Sequence, residues 1–457
     1  MALGDLVSGG IGPAAALCDR AAQRAARLIA QARQGSPLYA RHCRHCPPQA
    51  TLADLPPITR AQLMAQFDDW PTDVAITRDG VESFVADAAR AGDDYLGRYA
   101  VWTSSGTSGE PALFVQPREA LAVYDAELAL RFEPGRVGAT AFPPPLPAVL
   151  IAALDGHYAG IVSWRRLQRA APWLAPQMHA LSVKWPLEDI VAQLNRIQPR
   201  FLSSYPTVLH ALAGEQARGR LRLAPALLWS GGERLTPAMR AAIAAAFDCP
   251  LVNDYGASEC LSIGFECAHG RMHLNADWAV LEAVDERYRP VPPGQASATS
   301  LLTNLANAVQ PVIRYDLGDS ITEYGTACAC GCDLPSFSVA GRAADVLRLP
   351  RRDGSRAVVF PLAVQSAIEE GAGVARFQIV QTAPGRLLLR VGSTRQPADR
   401  ALAQRARGAL RALLASLGVE RVAIVLDDAP IAVERGSGKL RQVIALQSQA
   451  TRSRIRT

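Results

Sequence analysis

Two groups of residues in this chain have the types and the spacing to do chemistry. The first is Thr103-Ser-Ser-Gly-Thr-Ser-Gly-Glu-Pro111, set between the extended apolar stretches Tyr99 to Trp102 and Ala112 to Val115. Hydroxyls and glycines packed this densely let side chains and backbone amides converge on phosphate oxygens, because glycine permits both the turn and the close approach. Ser104, Ser105, Gly106, Thr107, Ser108 and Gly109 therefore form a candidate phosphate loop. It is not a Walker loop: the Lys-Ser or Lys-Thr pair is missing, and the next segment reads as a strand, so no helix N-terminus faces the anion. Taken alone, the competing reading is an ordinary Gly/Ser hairpin. The second group is Cys267, His269 and His273, followed much later by Cys328, Cys330 and Cys332. Thiolate and imidazole at short spacings on two separate loops suit tetrahedral zinc, which takes four such ligands in a structural site. These candidates outnumber the four places, and reduced cysteines beside surface histidines are the bland alternative.

Other candidates carry less. His42-Cys-Arg-His-Cys46 has the look of a metal or redox motif, but no second ligand pair lies nearby in sequence, and we read it as ordinary helix residues. His157, in Leu154-Asp-Gly-His-Tyr158, reads as a packing histidine.

Four further segments extend the first group. Ser230-Gly-Gly-Glu233 follows a short apolar strand, Ala226 to Trp229, and Asn253-Asp-Tyr-Gly-Ala-Ser-Glu259 follows another. Tyr315-Asp-Leu-Gly-Asp319 follows Pro311-Val-Ile-Arg314, and Gly436-Ser-Gly-Lys439 sits near the C-terminus. In this order the set resembles the adenylate-forming superfamily, and within it the phenylacetate–coenzyme A ligase branch. The resemblance runs from Ser36-Pro-Leu-Tyr39 and Leu55-Pro-Pro-Ile-Thr-Arg60 to Lys439.

Such enzymes activate a carboxylate by attaching it to AMP, which brings two anions together and demands both charge neutralisation and alignment. The resemblance implies that Ser104 to Gly109 hold the β- and γ-phosphates of ATP and that Glu259 holds Mg²⁺, a hard cation that prefers carboxylate and phosphate oxygens. It implies an adenine pocket at Gly232, Glu233 and Tyr255, with Gly256 and Ser258 beside it. Asp319 would accept hydrogen bonds from the ribose hydroxyls. Arg342 would lie near the nucleotide after the hinge, and Lys439 would reach the α-phosphate during adenylation. Within the cysteine and histidine group, Cys267, His273, Cys328 and Cys330 best match a cluster that members of the branch can carry. One departure stands out: the junction reads Gly341-Arg-Ala-Ala-Asp345, so Ala344 replaces the usual hinge acid.

The elements that must position these residues follow an α/β pattern. The chain has 457 residues, 49% apolar and 20% charged, which makes it folded and long enough for more than one domain. Its formal charge of +6 is too dilute over that length to indicate nucleic acid. No stretch reaches membrane-span length, the start lacks a signal-peptide pattern, and nine cysteines fit reduced thiols; a cytoplasmic location without membrane or nucleic-acid partners is expected. Helical spacing covers Pro13 to Arg33, ending before Gly35, then Ala120 to Phe132 and Pro237 to Phe247. After Gly341 the pattern is a strand near Val358, a helix over Pro361 to Glu370, strands at Phe377 to Val380 and Leu387 to Val391, a helix over Ala398 to Leu417 and a strand at Val422 to Leu426. The expected organisation is a large multi-sheet adenylation domain, residues 1–341, and a small mobile α+β lid, residues 342–457. The expected reaction is ATP-dependent activation of an organic, aromatic acid, then transfer to coenzyme A. Transfer to an amine or carrier protein, a homodimer, and a nucleotide-binding regulatory protein without turnover stay open.

Overall fold

The computed structural model describes residues 14–104, 112–130, 146–340, 347–374, 376–392, 400–431 and 442–446. At its centre is a nine-stranded sheet of two characters. One half is parallel, in the order Leu251–Ala257, Leu227–Ser230, Phe201–Ser204, Ala148–Ala152 and Met178–Ser182. Helices Ala159–Ala170, Leu187–Ile197, Pro206–Ala217 and Pro237–Ala246 make its crossovers. Ala148–Ala152 and Leu227–Ser230 are buried along their whole length, as strands covered on both faces must be. The other half is antiparallel: Leu251–Ala257 pairs with Cys260–Glu266, followed outward by Met272–Leu274, Ser336–Ala340 and Ser320–Tyr324. Leu251–Ala257 is thus the strand at which pairing changes from parallel to antiparallel.

Two smaller sheets flank this one. Tyr99–Ser104 and Ala112–Pro117 form a buried antiparallel pair on either side of the hydroxyl-rich loop. Ala279–Val284, Thr299–Asn304 and Tyr315–Asp316 form an antiparallel three-stranded sheet. The segment from Leu55 to Arg60 is stitched to its last strand, Ile58 N–H donating to the Arg314 carbonyl and Asp316 N–H to the Ile58 carbonyl, at 3.1 and 2.9 Å.

The C-terminal residues build a hairpin, Leu347–Pro350 with Arg356–Val359, and a four-stranded sheet ordered Ala423–Leu426, Arg386–Val391, Phe377–Ala383, Val443–Ile444. Helices Pro361–Ala372 and Arg400–Ser416 pack together, and a side chain in place of Gly371 would put its Cβ 2.7 Å from that of Ala409. One buried apolar cluster runs through these elements and into the parallel half of the central sheet.

The helices and strands lie where periodicity puts them, with shifted ends. The first helix, Ala14–Gly35, continues through Gly35, where the sequence suggests a stop. Ser36 N–H still reaches the Ala32 carbonyl at 2.9 Å, and Ser36 then caps the next helix, Pro37–His42. Glycine is needed at 35 for packing: a Cβ there would sit 2.9 Å from Thr72 Cβ. The helix expected over Ala120 to Phe132 begins earlier, as Arg118–Leu130. No helix among the described residues is long and apolar enough to cross a membrane.

Candidate active site

The switch strand Leu251–Ala257 runs into a tight reversal at Ser258 and Glu259 before Cys260–Glu266 returns. Gly256 makes the reversal possible, since a Cβ there would lie 2.1 Å from the Leu261 carbonyl oxygen. The reversal is tied down from both sides. Trp102 Nε1 donates to the Ser258 carbonyl and Asn304 Nδ2 to the Glu259 carbonyl, each at 2.8 Å. The Glu259 side chain is buried, and Tyr315 Oη donates to its Oε1 at 2.7 Å. Burial, with the Glu259 charge beside it, holds the Tyr315 hydroxyl well above its ordinary range, so it stays protonated and keeps donating.

Tyr315 opens the turn that ends at Asp319. Asp316 shapes the turn by accepting from Thr299 Oγ1 at 2.5 Å, Tyr288 Oη at 2.8 Å and Gly318 N–H at 3.1 Å. Arg314, at a φ of 48°, holds a conformation that L-residues avoid. Its N–H bonds Thr303 Oγ1 at 3.0 Å, its Nε bonds Glu282 at 3.0 Å, and its Nη1 bonds the Leu55 carbonyl at 2.6 Å. Asp319 in turn accepts from Tyr255 Oη at 3.1 Å, and the Tyr255 ring meets Phe337 edge-on at 5.8 Å. The aromatic and the acid expected at adenine and ribose are therefore already coupled.

Glu233 arrives from the neighbouring parallel strand. Its carboxylate sits at the N-terminus of helix Pro206–Ala217, accepting from Thr207 N–H at 3.2 Å and Thr207 Oγ1 at 2.7 Å. That geometry favours a carboxylate, yet burial dominates and pushes the group up to about 7. Gly232 has a φ of 75°, and a Cβ on it would press the Tyr205 ring at 3.3 Å.

These groups face one cavity of about 930 Å³. Every described residue of the expected nucleotide set lines it: Ser104, Gly232, Glu233, Tyr255, Gly256, Ser258, Glu259 and Asp319. Ser105, Gly106, Thr107, Ser108, Gly109, Arg342 and Lys439 lie outside the described residues. Ser104 Oγ is shielded from solvent and has no hydrogen-bond partner among the described residues. Arg60, Arg234 and Arg240 add positive charge to the wall, and Gln365 and Gln442 add C-terminal side chains. Arg240 is held by Glu266 at 2.6 Å, whose other oxygen takes a hydrogen bond from Asn253 Nδ2. Sequence reasoning missed Tyr315 as the partner of Glu259, although Tyr315 opens a motif already singled out. It missed Thr207, for which no local signal exists.

Four members of the cysteine and histidine group come together. Ligand atoms of Cys267, His273, Cys328 and Cys330 all lie within 4.8 Å of one another. Cys267 Sγ is 3.7 Å from Cys328 Sγ, and Cys330 Sγ is 3.3 Å from His273 Nε2. A tetrahedron with ordinary zinc–sulfur and zinc–nitrogen bonds has edges of about 3.8 and about 3.5 Å, so the group fits that metal. His273 Nδ1 lies 3.0 Å from the Leu334 carbonyl, the bond that orients an imidazole to ligate through Nε2. His269 is exposed and outside the cluster; Cys332 borders it, its N–H donating to Cys330 Sγ at 3.4 Å. Elsewhere, Cys43 is buried in the core, Cys46 Sγ donates to the Asp54 carbonyl at 3.2 Å, and His157 packs edge-on against Phe84.

An open cavity at the strand where a half-parallel sheet reverses, lined by ordered acids and a hydroxyl-bearing loop end, sits on the fold of the adenylate-forming ligases. The fold is shown by comparison with solved structures. In its thioesterification state, 2-hydroxyisobutyryl-CoA ligase in complex with 2-HIB-AMP and CoA superposes with a TM-score of 0.60 at 22% identity, over 96% of this chain and 91% of that one. The same ligase in the postadenylation state with R3-HIB-AMP superposes with a TM-score of 0.54 at 20% identity, over 96% and 92%. In sequence, Protein CapK of Staphylococcus aureus is 29% identical over 137 residues, which span 30% of this chain and 29% of that protein. No protein-family model matches the chain.

Proposed function

We propose that this chain is an AMP-forming acid–thiol ligase, similar to the phenylacetate–coenzyme A ligases, acting on an aromatic acid in the cytoplasm. What supports this most is the meeting of the Tyr315–Glu259 pair, the Tyr255–Asp319 pair, Glu233 and Ser104 in one cavity of an adenylate-forming fold. A carboxylate oxygen of the acid would attack the α-phosphorus of ATP, a new P–O bond forming as the bond to pyrophosphate breaks. The coenzyme A thiolate would then attack the acyl carbon, and AMP would leave.

The residues divide this work. Ser104 to Gly109 cradle the outer phosphates, and Ser104 Oγ has a hydrogen bond to offer. Glu259, fixed by Tyr315, is a hard oxygen donor aimed at the triphosphate and suits Mg²⁺, which would neutralise developing phosphate charge. Asp319 receives the ribose hydroxyls, with Tyr255 fixing its orientation while the Tyr255 ring borders the adenine. Arg60 and Arg234 add positive charge where two anions meet. Arg342 stays by the nucleotide, and Lys439 reaches the α-phosphate from a C-terminal lid that begins near residue 342. Cys267, His273, Cys328 and Cys330 would hold a structural zinc with their four side chains, a role in the fold rather than in the reaction.

ATP–pyrophosphate exchange over a panel of aromatic and aliphatic acids tests the proposal. Exchange with at least one acid, followed by thioester formation with coenzyme A, is expected. ATP binding with no exchange for any acid would favour a nucleotide-binding regulator, the reading that Ala344 at the hinge supports. Exchange with transfer only to a carrier protein or an amine would move the acceptor and leave the first half-reaction in place.

A further inference from the structure

Away from the cavity, the large body and the C-terminal unit are joined by ion pairs that the reaction does not use. Lys184 follows strand Met178–Ser182, and its ammonium bridges two carboxylates: Asp155 Oδ2 at 3.2 Å and Glu370 Oε2 at 2.6 Å. The second oxygen of Glu370 accepts from Tyr158 Oη at 3.1 Å. The side chains of Lys184 and Glu370 are only 16% and 29% exposed, which sets this pair apart from the solvated ion pairs of an ordinary surface. A second tie lies nearby, from Arg351 to Glu188 of helix Leu187–Ile197. Glu370 lies near the end of helix Pro361–Ala372, whose first half contributes Pro361 and Gln365 to the cavity wall. One rigid helix therefore has the ionic contact at one end and the site at the other.

The arrangement of the two bodies has a direction. The same ligase superposes better in its thioesterification state than in the postadenylation state at nearly equal identity and coverage. We propose that Lys184 and Glu370 form a latch that holds the C-terminal unit in the orientation for thioester formation, so that its strength sets the balance between the two half-reactions. This rests on the ligase reading above. Lys184 and Glu370 are positioning residues in it, since neither lines the cavity. Glu369, next in the chain, is pushed up to about 8 by burial, so at neutral pH it is largely uncharged and does not compete for the lysine.

Two measurements on the full chain test the latch in Lys184→Met and Glu370→Gln, with Lys184→Arg as the conservative control. The first is amide hydrogen exchange over residues 361–372 without substrate. It should speed up in the first two variants and stay near wild type in the third. The second is single-turnover kinetics: the rate of thioester formation from supplied acyl-adenylate should fall about tenfold relative to the rate of acyl-adenylate formation, a size usual for coupling between sites. Unchanged exchange in both charge-removing variants overturns the latch, and so does an equal fall in both half-reactions. If Lys184→Met does not fold, Glu370→Gln carries the test alone. A wild-type chain that activates no acid defeats the ligase reading, while the exchange measurement still decides the latch.

Discussion

The strand Cys260–Glu266 has a different kind of site at each end. At one end Glu259 faces an open cavity, steadied by a tyrosine from another sheet. At the other, Cys267 joins His273, Cys328 and Cys330 in a group closed on itself. The closed group would spend all four side chains on one metal ion and leave no position for substrate. The open one is unfinished: its acids are oriented by neighbours but still face space that a ligand would fill. The contrast separates side chains that close on one another from side chains that face open space, and it makes opposite predictions for the two ends.

The largest effect belongs to the open end. Glu259→Gln should cut ATP–pyrophosphate exchange at least about a hundredfold with little change in thermal stability, because one donor to developing charge is typically worth several kcal/mol. Near-wild-type exchange in a folded variant would remove Glu259 from the metal. At the closed end the order of effects reverses. About one zinc per chain should copurify, and Cys267→Ser or chelation should lower the melting temperature by several degrees, because metal binding to such a site adds to folding free energy. Freshly purified, reduced protein without zinc in metal analysis would end that assignment.

The two ends also differ in how far the sequence reveals them. Cys267 and His273 lie on one hairpin and Cys328 and Cys330 on one loop, so two short spacings already bring the ligands together in pairs. The open site is written less locally. Glu259, Asp319 and Glu233 are legible only because five motifs occur in a fixed order, and their partners are not legible at all. Thr207 reaches Glu233 because a helix start packs beside a strand end, and Asn304 reaches the Glu259 carbonyl across two sheets. The fold follows the same rule. Helices and strands agree with periodicity, yet nothing local announces that Leu251–Ala257 pairs parallel on one side and antiparallel on the other. The Lys184–Glu370 contact, between residues 186 apart, has no sequence signature either.

A smaller effect probes how the open site is steadied. Tyr315→Phe keeps the ring and removes the donor to Glu259, so a buried carboxylate loses one hydrogen bond of about 1.5 kcal/mol or more. Exchange should fall about tenfold, with the requirement for magnesium rising as the carboxylate loses its fixed position. A variant whose exchange and magnesium dependence match the wild type would show that the backbone ties through Trp102 and Asn304 suffice.

The last effect is visible only in stability, and it has a defined sign. Glu233 is raised from 4.5 to about 7 in the folded chain, chiefly by burial. Between those two values the folded chain holds a proton that the unfolded chain has released, so folding stability falls as pH rises through the window and levels off above about 7. The whole drop is on the order of 2 kcal/mol once the partial exposure of the residue is allowed for. Glu233→Gln keeps an oxygen for the Thr207 hydrogen bonds and has no proton to lose. The variant should therefore match the wild type near pH 4.5 and exceed it at pH 8, in urea titrations at each pH. An acid kept destabilised in a cavity wall is what a ligand-binding site retains at the expense of stability. Parallel stability profiles for the two proteins would mean that Glu233 is already ionised in the folded chain, and that the Thr207 bonds outweigh burial.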